Sequence, residues 1–213
     1  VQVEGESPAA LTKEALAATD RRYMVGYNRR YAPLAVKLHE LLDPNLPLII
    51  QYNVCIPEVP PDHWTLNKTE GGGRLVGEAE HFFDFCNFLA GASAPAVSAG
   101  CVLLAGQSPE AQYNFIVNLN YRTRALATVT YTSYAAPGSP REQITVFQGQ
   151  RTVVLEDFRK LTIQGKGSKT FRNQFGDMGH AEELRHFIRL IRENRPLPVD
   201  ELMPVLNIPQ MKK

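Results

Sequence analysis

A glutamate and a histidine lie three residues apart in the stretch from residue 71 to residue 90, which reads GGGRLVGEAEHFFDFCNFLA. If this stretch is helical, Glu78 and His81 lie one turn apart on the same side, so their side chains can meet. A carboxylate beside an imidazole can hold or transfer a proton. The same pair can also be a structural ion pair on a helix flank, and both interpretations remain open.

The elements that would position this pair follow from the spacing of apolar residues. That spacing predicts a single helix that follows the three glycines at 71–73, runs to residue 90 and is ended by Gly91. Glu78 falls inside the apolar arc of this helix, where a charge needs a partner. Residues on the opposite side are predicted to face solvent, namely Glu80, Asp84 and Asn87. The apolar stripe consists of Leu75, Ala79, Phe82, Cys86 and Leu89, widened by Phe83 and Phe85.

Two other features of this stretch bear on chemistry. A metal site built from Glu78, His81 and Asp84 is disfavoured, because the stretch contains a single histidine. We therefore expect no metal. The glycines at positions 71–73 either let a ligand approach the backbone closely or form a flexible entry to the helix.

Polar residues upstream also suggest a binding site. Residues 23–27 are a short apolar run that predicts a buried strand, and residues 28–31 follow it with the sequence NRRY. Ligand-contacting groups are common at such strand ends in α/β proteins. Pro33 begins a predicted helix that stops before Pro44, and residues 48–54 form a predicted strand. The proline-rich loop at 56–69 contains Trp64, which either contacts a ligand or plugs a surface groove.

The second half of the chain predicts a mainly antiparallel sheet. Residues 97–105, 111–121, 125–134, 143–148, 152–155 and 159–164 read as strands. One face of the second of these is apolar, whereas the other carries uncharged Asn and Gln. A neutral polar sheet face is compatible with a subunit interface, with hydroxyl-rich ligands or with plain solvent exposure. Asp177 is predicted to cap a last helix whose inward residues are Met178, Ala181, Leu184, Ile188 and Ile191.

Composition narrows the function classes. The 213 residues carry 23 basic and 22 acidic side chains without a basic block, so we expect no nucleic-acid partner. No apolar run is long enough to span a bilayer and no signal peptide opens the sequence, so we expect no membrane partner. Three cysteines without metal-type spacing suggest reduced thiols and a cytoplasmic protein.

Three motifs, in order along the chain, resemble one protein family. They are MVGYNRRYAP at 24–33, the glycine triplet at 71–73 followed by His81 and Asp84, and GHAEEL at 179–184 before Phe187. Together they resemble the C-terminal domain of the glucose–fructose oxidoreductase / inositol dehydrogenase / MocA family. Within the family, the sequence PDHW at 61–64 and the pattern Gly77-Glu78-x-x-His81-Phe82 most resemble members in which this unit follows a zinc-type alcohol dehydrogenase domain.

The resemblance implies an α/β (α+β) fold: an open, mainly antiparallel sheet with helices packed on one face. Residues 1–26 would be the remnant of a Rossmann domain, and residues 27–213 a substrate-binding and oligomerisation domain. The implied chemistry is NAD(P)-dependent oxidation or reduction of a sugar or cyclitol hydroxyl, with a homo-oligomer formed through the polar sheet face. A base must then take the hydroxyl proton while a hydride moves to NAD or NADP.

Site residues follow from the same resemblance. His81 matches the catalytic histidine of the family, and Glu78, one position away from the family's acid, is expected to stand in for it. The expected substrate-binding residues are Tyr27, Asn28, Arg29, Arg30 and Arg74, together with Trp64, which is suggested only by the ability of its ring to stack on a sugar. The residues expected to bind the cofactor are Glu6, Ser7 and Pro8.

Two departures from the family pattern leave a second hypothesis open. Ser7 stands where the family has a lysine before proline, and the sequence contains no Gly-x-Gly-x-x-Gly turn to hold a pyrophosphate. Either the dinucleotide is bound mainly by a domain outside this sequence, or the chain is a non-catalytic scaffold or ligand-binding module.

Overall fold

An eight-stranded open sheet forms the centre of the molecule in a computed structural model, which describes residues 24–67, 73–91, 96, 98–106 and 113–195. The strand order is β2-β3-β4-β1-β5-β6-β7-β8. β1 pairs in parallel with β4, and every other neighbouring pair is antiparallel. The strands are β1 Leu48–Cys55, β2 Ser98–Leu103, β3 Phe115–Asn120, β4 Ala125–Thr132, β5 Glu142–Gln148, β6 Arg151–Glu156, β7 Lys160–Gln164 and β8 Ser168–Arg172.

Four α-helices and two 3₁₀ turns are described beside the sheet. The helices are α1 Pro33–Glu40, α2 Arg74–Gly77, α3 Glu80–Ala90 and α4 His180–Arg192, and the 3₁₀ turns are Asn28–Tyr31 and Trp64–Leu66. The predicted fold class is confirmed: the sheet is open and mainly antiparallel, with its apolar face against helices. β8 was not predicted, because four of its five residues are exposed and carry no apolar alternation. No described helix is long and apolar enough to cross a membrane.

The alternation predicted for β3 is confirmed. Tyr113, Phe115, Val117, Leu119 and Tyr121 are all buried against the helical layer. On the other face Asn118 and Asn120 are exposed, and the side chain of Thr128 donates a hydrogen bond to Asn118 across the strand pair. The neutral polar face is therefore open to its surroundings in this chain.

The single helix predicted from the glycine triplet to residue 90 is wrong. The helix breaks at Glu78, whose φ of −129° and ψ of −36° end α2, and α3 starts at Glu80. Asp84 was expected on the solvated side, but the 3₁₀ turn Asn28–Tyr31 packs against α3 and covers it. Asp84 is 1% exposed and pairs with Arg30. Gly91 ends α3 as predicted, with a φ of 119°.

The buried strand predicted at residues 23–27 is also wrong for the part that the structure describes. Residues 24–27 are irregular, and the amide of Tyr27 bonds to the carbonyl of Val25, which closes a tight turn. Residues 24–27 pair with no strand of the described sheet. The residues that follow, Asn28–Tyr31, form a 3₁₀ turn.

The predicted orientation of α4 is mostly wrong. Leu184 is 60% exposed, and Ile188, Ile191 and Ala181 are exposed as well. The reason is that α4 packs with its first turns against the 3₁₀ turn Asn28–Tyr31, rather than lying along the sheet. Met178 does pack against the core, as expected.

Candidate functional site

A cavity of about 630 Å³ opens at the end of the sheet where β1 and β4 finish and β5 begins. Its wall combines parts of the 3₁₀ turn Asn28–Tyr31, the break between α2 and α3, the β6–β7 turn and the start of α4. The acidic lining residues are Glu78, Glu142 and Asp157, and the basic ones are Arg29, Arg141, Arg159, His81 and His180. Apolar surface comes from Ile56, Phe82, Phe158 and Met178.

A buried ion pair forms the floor of this cavity. Arg29 donates two hydrogen bonds to the carboxylate of Glu142, at 2.8 Å from Nε and 2.7 Å from Nη2, and Tyr52 donates a third. Burial and Glu142 raise the pKa of the Tyr52 hydroxyl well above its ordinary value, so it stays a donor. Burial opposes the charge on Arg29, yet Tyr52 and Glu142 outweigh it and raise the pKa of Arg29. Arg29 and Glu142 therefore both stay charged, and each compensates the buried charge of the other.

A second acid–arginine pair lies at the break between α2 and α3. Arg74 pairs with Glu78, and the hydroxyl of Tyr131 donates to Glu78 Oε2 at 2.9 Å. Burial and Glu78 raise the pKa of Tyr131 above its ordinary value, so this hydroxyl also stays protonated. Glu78 is thus bonded to side chains and lies in the cavity wall, as the proton-transfer hypothesis requires. The side chain that pairs with the Glu78 carboxylate is thus Arg74, whereas the sequence predicted His81.

His81 lies in the same wall with its ring edge-on to Tyr27, at 5.8 Å between centroids. Its Nδ1 is buried and makes no hydrogen bond to any residue that the structure describes. Burial, together with Arg29, lowers the pKa of His81 below 6.5, although Glu142 and Glu78 act in the opposite direction. The imidazole is therefore neutral near neutral pH and can accept a proton.

We expect His81 to make the fold less stable in mild acid. Its pKa is lower folded than unfolded, so between these values the unfolded chain binds more protons, and the free energy of unfolding falls as pH drops below 6.5. Replacing His81 with Gln should remove this part of the loss, measured by urea unfolding from about pH 7.5 to 5. His39→Gln should likewise remove a smaller, separate part of the loss, because burial also lowers the pKa of His39. If the free energy of unfolding depended on pH equally in the parent and in His81→Gln, the lowered pKa of His81 would be contradicted.

The β6–β7 turn brings backbone strain to the cavity. Asp157 and Phe158 both have positive φ, 49° and 54°, which is uncommon for any residue other than glycine and rare for a bulky one. Phe158 is fully buried against the ring of Phe85, and Asp157 Oδ1 accepts a hydrogen bond from the amide of Glu142 at 2.9 Å. Packing and this hydrogen bond hold the β6–β7 turn in place. The backbone position of the neighbouring Arg159 is set by this turn.

Four of the residues predicted from sequence come together in the cavity wall: Asn28, Arg29, Glu78 and His81. Asn28 is held there by a 2.7 Å bond from its Nδ2 to the carbonyl of Met178. The geometry is consistent with the roles expected for them, and those roles remain predictions.

The other predicted residues lie outside the wall of this cavity. Tyr27 is buried behind His81, and Arg30 is buried in its pair with Asp84. Trp64 is 56% exposed on the proline-rich loop, and Arg74 is buried behind Glu78. The positions expected to contact the cofactor, Glu6, Ser7 and Pro8, lie outside the described residues.

Sequence reasoning did not identify five charged residues of the wall: Glu142, Asp157, Arg141, Arg159 and His180. A signal was present, since Arg141 directly precedes β5, Glu142 is the first residue of that strand and its other residues are uncharged. Asp157 and Arg159 lie in the turn between β6 and β7. Only the pairing of β5 with β6 and of β6 with β7 shows that these turns share one end of the sheet.

Neither a metal nor most of a dinucleotide fits the described residues. They contain no group of three or more His, Cys, Asp or Glu side chains that could hold a metal ion. No glycine-rich strand–turn–helix unit that could hold a pyrophosphate is described, and none occurs in the sequence. The neutral His81 in a polar wall does fit the reacting end of a nicotinamide cofactor bound alongside a hydroxyl substrate.

Comparison by sequence gives one match. A family profile described as "Oxidoreductase family, C-terminal alpha/beta domain", of the glucose–fructose oxidoreductase / inositol dehydrogenase / MocA type, matches residues 47–203. None of the curated proteins matches the chain by sequence.

Comparison by structure gives many similar folds at low identity. The aldose–aldose oxidoreductase from Caulobacter crescentus, complexed with glycerol, is 17% identical with a TM-score of 0.76, and the match covers 93% of this chain and 62% of that one. The UDP-N-acetylglucosamine 3-dehydrogenase from Acidithiobacillus ferrooxidans is 15% identical with a TM-score of 0.68, covering 93% and 62%. An oxidoreductase domain protein from Kribbella flavida is 18% identical with a TM-score of 0.66, covering 89% and 61%. This chain therefore spans about three fifths of each, and the likeness concerns the fold.

Proposed function

The chain belongs to the glucose–fructose oxidoreductase / inositol dehydrogenase / MocA oxidoreductase family, and we propose that it provides the substrate-binding part of an NAD(P)-dependent enzyme acting on a sugar or cyclitol hydroxyl. The observation that carries the proposal is His81, a neutral imidazole in the wall of a polar cavity. Relatives of similar fold that are named for sugar substrates support the substrate class.

The lining of the cavity suits a polyol. Its volume of about 630 Å³ accommodates a monosaccharide-sized molecule. Charged and amide side chains offer hydrogen bonds to several hydroxyl groups, while Phe82 and Phe158 offer apolar surface to the C–H groups of a ring. Asn28 remains fixed by its bond to the carbonyl of Met178, so this part of the wall is already formed before a ligand arrives.

Each wall residue has a role in this proposal. His81 accepts the proton of the reacting hydroxyl, because its ring lies in the cavity wall and its lowered pKa keeps it neutral. Glu78 and Glu142 then stabilise the imidazolium that forms, since both favour the protonated ring. Arg29, held by two bonds to Glu142, limits that effect and keeps the resting ring neutral.

The nicotinamide cofactor, NAD or NADP, would accept the hydride from the carbon that bears the hydroxyl. In this proposal most of the nucleotide is bound outside the described residues, and the cavity wall around His81 meets its reacting end. The cytoplasm suits this cofactor, and the free state of Cys55, Cys86 and Cys101 agrees with a reducing compartment.

The open face of the sheet is the proposed site of homo-oligomer contact. Beside its Asn and Thr residues, three apolar side chains lie side by side on β4, β1 and β5: Leu126, Ile49 and Phe147, exposed by 53%, 49% and 38%. Apolar residues grouped within a neutral polar surface are typical of protein interfaces. The role of this face as a subunit interface rests on that composition.

A non-catalytic ligand-binding module is the second candidate function. It is favoured by Ser7, which stands where the family carries a lysine expected to contact both cofactor and substrate. The two candidates differ in one observable, because a module of this kind binds a polyol without reducing a nicotinamide cofactor.

We expect His81→Ala to lower turnover about 100-fold or more, because the step loses its proton acceptor. The measurement is nicotinamide reduction by the full-length protein, with NAD⁺ or NADP⁺ and a panel of sugars and cyclitols. His186→Ala is the matched control, since His186 lies outside the cavity beside Tyr31. Polyol binding without any cofactor reduction by the parent protein would favour the non-catalytic module instead.

A further inference from the structure

The acidic groups of the cavity wall already have partners. Glu78 pairs with Arg74, and Glu142 with Arg29. Asp157 Oδ1 accepts a hydrogen bond from the main-chain amide of Glu142 at 2.9 Å. A substrate that enters the cavity therefore meets carboxylates whose charge is largely compensated by groups behind them.

Two arginines of the same wall carry a positive charge that no described acidic side chain pairs with. Arg141 and Arg159 line the cavity, and neither makes an ion pair or a side-chain hydrogen bond to any residue between 24 and 195 that the structure describes. Their backbones are fixed: the carbonyl of Arg141 accepts from the amide of Cys55 at 2.8 Å, and that of Arg159 from the amide of Asn173 at 2.7 Å. Arg141 also acts electrostatically on Tyr131, which bonds to Glu78, so its charge reaches the inner wall.

The side chain of Arg159 passes close to the backbone of Gly176. Gly176 has a φ of 60°, and a Cβ added there would lie 2.5 Å from Nε and 2.9 Å from Cγ of Arg159. Only a glycine leaves room for the Arg159 side chain at this position, and Arg159 lines the cavity wall.

We propose that the substrate carries an anionic group, a carboxylate or a phosphate, which Arg141 and Arg159 bind. The proposal rests on the proposed function of this cavity and narrows its substrate class from polyols to acidic sugars. Guanidinium groups match both anions, because each presents paired oxygens to paired N–H donors.

A neighbouring cavity extends the site beyond Arg141. It has about 650 Å³ and shares Ile56 and Arg141 with the first. The remaining wall is mostly small and apolar, with Pro57, Ala136 and Pro137 among its residues. A phosphate bound at Arg141 can carry a second substituent, so it could connect a sugar in the first cavity to a further group in the second. A carboxylate is a terminal group, so a substrate of that kind would not extend past the two arginines.

Direct binding tests the proposal without any need for catalysis. Isothermal titration of the full-length protein with glucuronate, glucose 6-phosphate and glucose should show that at least one acidic sugar binds about 10-fold or more tightly than glucose. Arg141→Gln and Arg159→Gln should each remove most of that preference, because each should weaken binding of the acidic sugar much more than binding of glucose. The stronger of the two acidic ligands identifies the anion as carboxylate or phosphate.

The control is Arg122→Gln, an exposed arginine in the β3–β4 turn at the opposite end of the strands. It should leave all three affinities as in the parent. Equal affinity for acidic and neutral sugars, or an unchanged preference in the Arg141/Arg159 double variant, overturns the anion subsite and leaves the proposed function intact. Failure of all three sugars to bind overturns both.

Discussion

Replacement of Gly179 by alanine should destabilise the protein by at least about 4 kcal/mol, a loss that few single substitutions reach. Gly179 has a φ of 88°, and its α-carbon lies directly on the backbone of the 3₁₀ turn. An added Cβ would overlap the carbonyl oxygen of Asn28 and lie 2.5 Å from the amide nitrogen of Ala32. Main-chain atoms cannot rotate aside as a side chain can, so the turn and α4 must separate. Guanidinium unfolding followed by fluorescence measures the loss.

Gly138→Ala is the matched control for that experiment. Gly138 has nearly the same φ, 87°, but nothing lies within 4 Å of the position of its Cβ. It therefore carries the conformational cost of a left-handed alanine alone, about 1–2 kcal/mol. The difference between the two variants isolates the steric contact. Similar losses at Gly179 and Gly138 would show that α4 yields easily, contrary to our interpretation.

Glu142→Gln should cost about 3 kcal/mol or more of folding free energy, because it leaves the Arg29 guanidinium charged and buried without its counter-ion. The Arg29 side chain is 12% exposed and that of Glu142 is 4% exposed, so water cannot replace the lost charge. Tyr52 loses its anionic acceptor at the same time. Thermal or urea unfolding of the variant gives the value.

Two comparisons establish the cause of that loss. Glu156→Gln removes a carboxylate from a partly exposed pair with Lys160 and should cost less than about 1 kcal/mol. The double variant Arg29→Gln/Glu142→Gln should be more stable than the sum of the two single losses implies, since no charge is then left unpaired. Strict additivity of the two losses would refute the coupling.

The fold was largely predictable because the strands carry their own signal. β3 alternates strictly between buried and exposed residues, and this alternation identifies the strand and its inner face from sequence alone. α3 ends at Gly91 for an equally local reason, because a glycine with positive φ stops a helix. Where a local pattern decides the structure, the prediction was confirmed.

The errors arose where distant parts of the chain decide the outcome. The periodicity of residues 71–90 contains no sign of the break at Glu78, which coincides with pairing to Arg74 and Tyr131. α4 has a well-formed apolar stripe, yet its position depends on the fit of Gly179 against the turn Asn28–Tyr31. A helical wheel shows which residues share a face but not which element that face meets.

The candidate site divides in the same way. His81, Glu78 and Arg29 were predicted from motifs, and the structure places them in one cavity. Glu142 and Arg159 were missed, because their proximity to His81 follows from the order of strands in the sheet. That order joins turns that are far apart in sequence, and no single motif records it.

The parallel pair of β1 and β4 has a consequence for how the protein acquires its fold. β1 ends at Cys55, whereas its parallel neighbour begins at Ala125, so the middle of the sheet closes only after a long intervening segment has been made. The strands from β5 to β8 pair with successive neighbours and need only short hairpins. Since local pairings form faster than distant ones, we expect the β5–β8 meander to be protected first in pulse-labelled hydrogen exchange during refolding, with β1 docking late. The cavity, which lies where these two parts meet, would then be among the last features of the molecule to form.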